Sequence, residues 1–393
     1  MSAPGSLEPS GVSDPGGAVA LLRQEGAPHD LPRRIAEAAS RLAGSAAAIY
    51  VVDVDGSALH LLAGDAETFP DAIEAPLGVG PEIPLESLDA TGTAVAHAIP
   101  GSVCEPLILA DRALGVIVSR SQPAAALTQF AAEAALALEL GSGYTDAVHA
   151  TRRRKRPQAA AEIQQNLLPP RLARVTGATL AGGVLPGYEV GGDFFDYADN
   201  PEGLWLTLAD AVGKGNEAAA LASLAVGALR SARRSGGRIE DATRAMHEAV
   251  RSASEGSPFV TAIAAVWDTR TDVLRWITAG HPRPLVIAPD GTITSLIDGV
   301  TRPLGVDGHG SEPRAAEARL APGSRLILFS DGIVEQPVAG TDRAFGGDGM
   351  LEALRAPGPS TPAGMVRRVQ DAVIAAAAGH LRDDATLLVI ARD

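Results

Sequence analysis

Between about Ala18 and Leu140, apolar positions alternate between helical and strand spacing. Leu31, Ile35, Ala38, Ala39 and Leu42 recur at helical intervals and predict a helix over Leu31–Leu42. Ala47–Val54 is an apolar strand, Asp55-Gly56 a hairpin turn signal, and Leu59–Leu62 the return strand. Pro70 to Pro84, rich in Pro and Gly, reads as loop. Val103–Leu109 and Leu114–Ser119 form a second hairpin, and Leu127–Leu140 closes as an Ala/Leu helix. Two hairpins between flanking helices make an α+β domain of sensor size.

Gly141-Ser-Gly143 interrupts this pattern. The basic run Arg152–Arg156 reads as a solvated surface. Pro157 suits a first helical position, so a helix is expected over Pro157–Leu168, with Ile163 and Leu167 on one face and Pro169-Pro170 as its stop. From Ala178 strands recur: Ala178–Leu185, Leu204–Ala209, Val260–Trp267, Val273–Thr278, Leu285–Ala288, Arg325–Ser330 and Ala385–Ala391. Helical pairs are interleaved, Ala218–Arg234 with Ile239–Ser252 and Gly349–Leu354 with Pro362–Ala378. The expectation is a two-sheet sandwich flanked by helices.

Composition narrows the function. Lys+Arg 33 minus Asp+Glu 47 leaves −14, against a nucleic-acid binder. The single cysteine, Cys104, excludes an intrachain disulfide framework and a Cys-rich zinc site, and reads as core. No apolar run approaches the ~20 residues of a membrane span, and the first residues lack a signal-peptide pattern. The chain is expected to be cytoplasmic, with no membrane partner.

Carboxylates stand at the ends of apolar strands: Asp193 or Asp196, then Asp210, Asp331, and Asp383-Asp384. Any one could be a turn residue or a helix cap. Converging, they would repel one another unless a divalent cation sat among them. All-oxygen donors select Mg²⁺ or Mn²⁺, and two such ions can activate water and clamp a phosphoryl group. Asp193 and Asp196 are an odd number apart and face opposite sides of a strand, as do Asp383 and Asp384, so one of each pair reaches the ions. Gly213-Lys-Gly-Asn-Glu-Ala218 mimics a dinucleotide loop, but the stretch after its helix is helix end and turn, without the required second strand and acid. His281 reads as a structural hydrogen-bonder, and Trp205, Trp267 and Trp276 as core.

Seven segments occur in order: Ala161-Glu-Ile-Gln-Gln-Asn-Leu-Leu-Pro169, Val190-Gly-Gly-Asp-Phe-Phe-Asp196, Ala209-Asp-Ala-Val-Gly-Lys-Gly215, Ala279-Gly-His281, Pro303-Leu-Gly305, Phe329-Ser-Asp-Gly332 and Asp383-Asp-Ala-Thr386. Together they resemble the SpoIIE/RsbU-like branch of the metal-dependent PPM serine/threonine phosphatases, over roughly residues 160–393. The resemblance implies an α/β/β/α sandwich and two Mn²⁺ or Mg²⁺ ions. It implies metal-ligand roles for Asp193, Asp210, Asp331 and Asp383 and for the carbonyl of Ala211. It also implies a substrate, a phosphorylated STAS-type anti-sigma-factor antagonist. The N-terminal pattern is similar to a GAF domain, a module that binds an unidentified small ligand or pairs chains into a homodimer. The expected organisation is a disordered 1–16, a GAF-like sensor at 17–143, a helical linker at 144–170 and a PPM-type domain at 171–393. A conditionally inactive scaffold and a small-phosphomonoester phosphatase remain alternatives.

Overall fold

The computed structural model describes residues 17, 20–21, 26–120, 125–185, 191–253, 258–306 and 312–393. The expectation of disorder over 1–16 lies outside them. The chain divides into two compact units, Met1–Arg154 and Lys155–Asp393. Among the described residues no helix is long and apolar enough to cross a membrane.

The first unit contains α1 (Leu31–Ala43), β1 (Ala47–Val52), β2 (Ala58–Ala63), β3 (Ala72–Glu74), β4 (Ile83–Pro84), α2 (Leu88–Ala98), β5 (Val103–Leu109), β6 (Arg112–Ser119), α3 (Ala125–Gly141) and α4 (Ala147–Thr151). Its sheet runs β3-β2-β1-β6-β4, with β5 also on β6. β1 is buried on both faces, which is why it reads as a continuous apolar run. Ile49 and Val51 join α1 and α3 in one core, while Tyr50 and Val52 join Phe69 and Val95 in another. The Pro70–Pro84 stretch is not all loop. It supplies β3 and β4, strands too short to show periodicity, and α2 follows where no helix was expected.

The basic run is only partly a solvated face: Lys155 and Arg156 are exposed, but the residues before them are engaged. Arg154 Nε pairs with Asp53 Oδ2 at 2.9 Å, and Asp53 is fully buried. Asp53 also accepts from the Ser57 amide at 2.7 Å and the Ser57 hydroxyl at 2.9 Å. The Val54 amide donates to the Arg152 carbonyl at 3.1 Å. A buried carboxylate needs a counter-charge, and the segment that ends the first unit provides it.

The second unit contains α5 (Ala159–Leu167), β7 (Leu172–Val175), β8 (Ala178–Leu185), β9 (Asp193–Asn200), β10 (Gly203–Ala211), α6 (Asn216–Arg234), α7 (Ile239–Ala253), β11 (Val260–Asp268), β12 (Val273–Ala279), β13 (Leu285–Ile287), β14 (Ile293–Ser295), β15 (Val300–Thr301), β16 (Ala316–Arg319), β17 (Arg325–Phe329), α8 (Asp331–Val334), α9 (Gly346–Arg355), α10 (Pro362–Ala376) and β18 (Ala385–Arg392). One sheet runs β15-β12-β11-β10-β9 with β16 on β12; the other runs β14-β13-β17-β18-β8-β7. Phe194, Trp205 and Trp267 of the first sheet share a core with Leu326, Leu388 and Ile390 of the second. Helices α6 and α7 cover the first sheet, and α10 lies on β8 and β18 of the second. The two sheets thus form the middle layers of a mixed α/β sandwich.

The expected linker, 144–170, is shared between the units: 144–154 falls in the first, and 155–170, with α5, in the second. The buried face of α5 is Ala160, Ala161 and Gln164. Ile163, expected on the buried face, is exposed. The reason is steric: a Cβ on Gly191 would come within 2.8 Å of the Ala160 backbone, so only small residues fit between.

Asp53→Ala leaves buried donors unanswered and should destabilise the first unit by about 1–3 kcal/mol. Arg154→Ala, at a half-exposed side chain that water can replace, should cost at most about 1 kcal/mol. Denaturant melts of the two variants check the order.

Candidate active site

The acids gather where strands of both sheets end. Asp193 opens β9 and lies directly opposite Asp210 of β10. Asp331 is the first residue of α8, just beyond β17, and Asp383 precedes β18. Asp210, Ala211, Asp331 and Asp383 line one cavity of about 260 Å³, together with Glu335 and Arg382. Asp193 sits behind this lining and is 2% exposed.

Close backbone approach explains the glycines of two motifs. A Cβ on Gly192 would stand 2.9 Å from the Ala211 carbonyl oxygen, and one on Gly332 would overlap the Asp384 carbonyl at 1.8 Å. Gly215 has φ 70° and ψ −146°, a conformation open to glycine. It lets the chain leave β10 and enter α6 beside the acids. Lys214 leaves this turn to donate to the Arg382 carbonyl at 2.6 Å, and lies 3.6 Å from Asp383. It is a tether between two loops, not a free surface charge.

Both ambiguous pairs resolve. Asp196 faces away from the acids, as alternation requires. It is held by Arg230 and Arg233 of α6, each at 2.8 Å. Asp384 is 4% exposed, while Asp383 faces the cavity rim. Asp384 Oδ2 accepts from the amides of Gly192 at 3.1 Å and Asp193 at 3.2 Å. It also accepts from Gln164 Nε2 at 2.8 Å, and that nitrogen reaches the Asp193 carbonyl at 2.7 Å. Asp384 and Gln164 therefore fix the backbone from which Asp193 projects.

Burial and mutual repulsion disfavour charge throughout. Burial, then Asp210 and Asp384, hold Asp193 well above the usual carboxylate range; the Ser330 and Thr386 hydroxyls pull the other way. Burial, then Asp331, pushes Asp210 up to about 6. Burial pushes Asp384 up to about 7. Burial, then Glu335 and Asp383, raises Asp331. Asp193 Oδ2 is buried with no hydrogen-bond partner.

An orphaned acceptor among clustered carboxylates is the environment a hard divalent cation relieves, and every donor present is oxygen. The residues fit Mg²⁺ or Mn²⁺. Among the described residues, no three acidic, His or Cys side chains form a closed ligand shell; the acids instead stand around the cavity. His281 bonds the Thr261 hydroxyl at 2.7 Å, and burial lowers its pKa to about 3, so it stays neutral. Cys104 is half-buried against the first unit's core.

Two residues escaped the sequence reading. Glu335 lines the cavity one turn after Asp331, a spacing that the four-residue α8 is too short to reveal. Gln164 lies within Ala161–Pro169, where apolar periodicity singles out only its neighbours Ile163 and Leu167. Its signal is a polar residue on the same face as Ala160 and Ala161.

A carboxyl whose folded pKa exceeds its unfolded value of about 4 favours the fold only while protonated, and that contribution fades as pH rises. In chelator, stability should therefore fall between about pH 4, the unfolded value, and the folded pKa of about 7 for Asp384. Asp384→Asn should flatten this slope, and Mn²⁺ should raise the melting temperature more at pH 8 than at pH 5. Melts across that range test it; a slope unchanged in the variant would refute the assignment of the repulsion to this residue.

Residues 200–393 match the family model described as stage II sporulation protein E (SpoIIE). Phosphoserine phosphatase RsbU of Bacillus subtilis is 24% identical over 237 residues, covering 60% of this chain and 69% of that protein. The SiaA-PP2C domain of Pseudomonas aeruginosa is 23% identical, with 60% of this chain and 94% of that one covered and a TM-score of 0.49. The catalytic domain of the serine/threonine phosphatase PstP, solved in complex with two manganese ions, is 21% identical, with 55% of this chain and 100% of that one covered and a TM-score of 0.40. The family match over residues 200–393 and the RsbU relative agree with the motif order and the acid cavity: this part of the chain is a SpoIIE-type PPM phosphatase domain.

Proposed function

We propose that the chain is a Mn²⁺- or Mg²⁺-dependent protein serine/threonine phosphatase acting on a phosphorylated STAS-type anti-sigma-factor antagonist. The observation that carries this reading is the placement of Asp210, Asp331 and Asp383 on one cavity, with Asp193 directly behind Asp210. Asp193, Asp210, Asp331, Asp383 and the Ala211 carbonyl would hold two ions. When bound, such ions supply a water acidic enough to attack phosphorus and positive charge to steady the phosphoryl oxygens. Asp384 and Gln164 hold the Asp193 backbone still during turnover. The Lys214 contact keeps the loop before Asp383 close to the β10–α6 turn. The sigma-factor role rests on the RsbU relative.

The first unit, in this reading, is a GAF-like sensor that takes a small ligand and governs the phosphatase in a cytoplasmic homodimer. Its exposed Leu140 and Tyr144, at and beyond the end of α3, support pairing of two chains. The lack of a closed ligand shell favours a second reading, a scaffold active only when a partner or ligand gathers the acids.

Turnover of a phosphoserine protein with and without Mn²⁺ separates these readings. Asp331→Asn should lower that turnover at least about a hundredfold, while the metal-free melting temperature stays level or rises as repulsion is relieved. Near-normal turnover by this variant at modest Mn²⁺ sinks the metal assignment. Comparable turnover of free phosphometabolites would point to a small-phosphomonoester phosphatase.

Gln164→Ala should cut turnover about ten- to a hundredfold through the loosened Asp193 backbone, with the fold retained. Its Mn²⁺ requirement should shift upward; loss of turnover with unchanged metal dependence would contradict the positioning role.

A further inference from the structure

At the end of β9–β12 away from the acids, the turn between α6 and α7 borders a second cavity of about 670 Å³, in the range of small-molecule sites. Asn200, at the far end of β9, lies seven steps along the strand from Asp193, ~23 Å of extended chain. Four arginines, Arg233, Arg234, Arg238 and Arg275, face two glutamates, Glu202 and Glu240. The lining is therefore net positive in a chain of net charge −14.

These charges are unequally engaged. Arg233 is committed to Asp196 at 2.8 Å, and Arg275 to Glu317 at 2.7 Å. Glu202 accepts from the Trp205 indole at 2.9 Å and from Asn200 at 3.1 Å. Arg234 makes no side-chain hydrogen bond or ion pair among the described residues. Arg238 is 73% exposed and reaches Glu240 Oε1 only at 3.4 Å. Glu240 Oε2 is buried with no partner. The cavity thus offers two weakly engaged guanidinium groups for an anion and one enclosed acceptor for a donor.

We propose that this cavity binds a small phosphate ester bearing hydroxyl groups, its phosphate on Arg234 and Arg238 and a hydroxyl donating to Glu240 Oε2. Two guanidinium groups match a dianion, whose oxygens suit their forked donors. The enclosed carboxylate oxygen selects a ligand that also carries a hydrogen-bond donor. Sugar phosphates and nucleotides share this chemistry. The site is independent of the phosphatase reading.

The test is calorimetric titration of the full chain in chelator, where the clustered carboxylates of the catalytic cavity repel a phosphate. Glucose 6-phosphate and adenosine 5′-monophosphate are the probes, with glucose and adenosine as controls. One saturable site per chain is expected for at least one ester and none for the controls. The tighter ester assigns the sugar-phosphate or the nucleotide class. Arg234→Gln combined with Arg238→Gln should weaken binding about tenfold or more, and Glu240→Gln should weaken the esters more than inorganic phosphate. Asp331→Asn should leave the affinity unchanged. Circular dichroism confirms that α6 and α7 persist in the variants. Failure of both esters to saturate, indifference to the arginine pair, or loss of binding in Asp331→Asn would each overturn the proposal.

Discussion

Repulsion among carboxylates is the constraint around which the second unit is organised. Asp193, Asp210, Asp331, Asp383 and Asp384 come from four separate strand ends, and the fold brings them together against their mutual charge. Nothing local favours that gathering. The two-sheet core supplies it, because burying Phe195, Trp267, Leu326 and Leu388 between the sheets forces the ends of β9, β10, β17 and β18 to one edge. Apolar burial at ~25 cal/mol per Å² over so large a core readily exceeds the cost of raised carboxyl pKa values. The cost stays in place as raised carboxyl pKa values at that edge.

Holding the acids requires backbone precision as well as proximity. Asp384 contributes by accepting from the consecutive amides of Gly192 and Asp193 and from a glutamine, which fixes the backbone of Asp193 itself. Gln164 belongs to α5, the helix that begins the second unit soon after Lys155. The catalytic edge is thus tied to the first helix of its own unit by a buried polar side chain with two bonds. A buried polar network of this kind is costly when half satisfied.

On the opposite side of β9, Asp196 with Arg230 and Arg233 shows the other way a fold can treat a buried acid: neutralise it with arginines from α6. The same strand therefore carries one acid with a buried oxygen that has no partner and another already paired. The arginines that continue past Arg233 line the second cavity, where the pairing is incomplete.

Much of this was legible in the sequence. The helices over 31–43, 216–234 and 239–253 and the strands β8, β10, β11, β12 and β18 announced themselves, because long elements with one buried face leave a periodic apolar trace. The strand-end aspartates stood out because each sits at the end of an apolar run, Asp193 and Asp331 beside a glycine and Asp383 beside a second aspartate, and alternation alone put Asp193 and Asp196 on opposite faces. The short elements β3, β4, β15 and β16 left no trace, since two to four residues carry no period. Tertiary structure alone decided that Arg154 pairs with buried Asp53, that Ile163 faces solvent while Gln164 turns inward, and that Glu335 joins the cavity. Each depends on a partner distant in sequence, and hydrophobic periodicity reports only which face a residue occupies, never which charge or backbone group will meet it there.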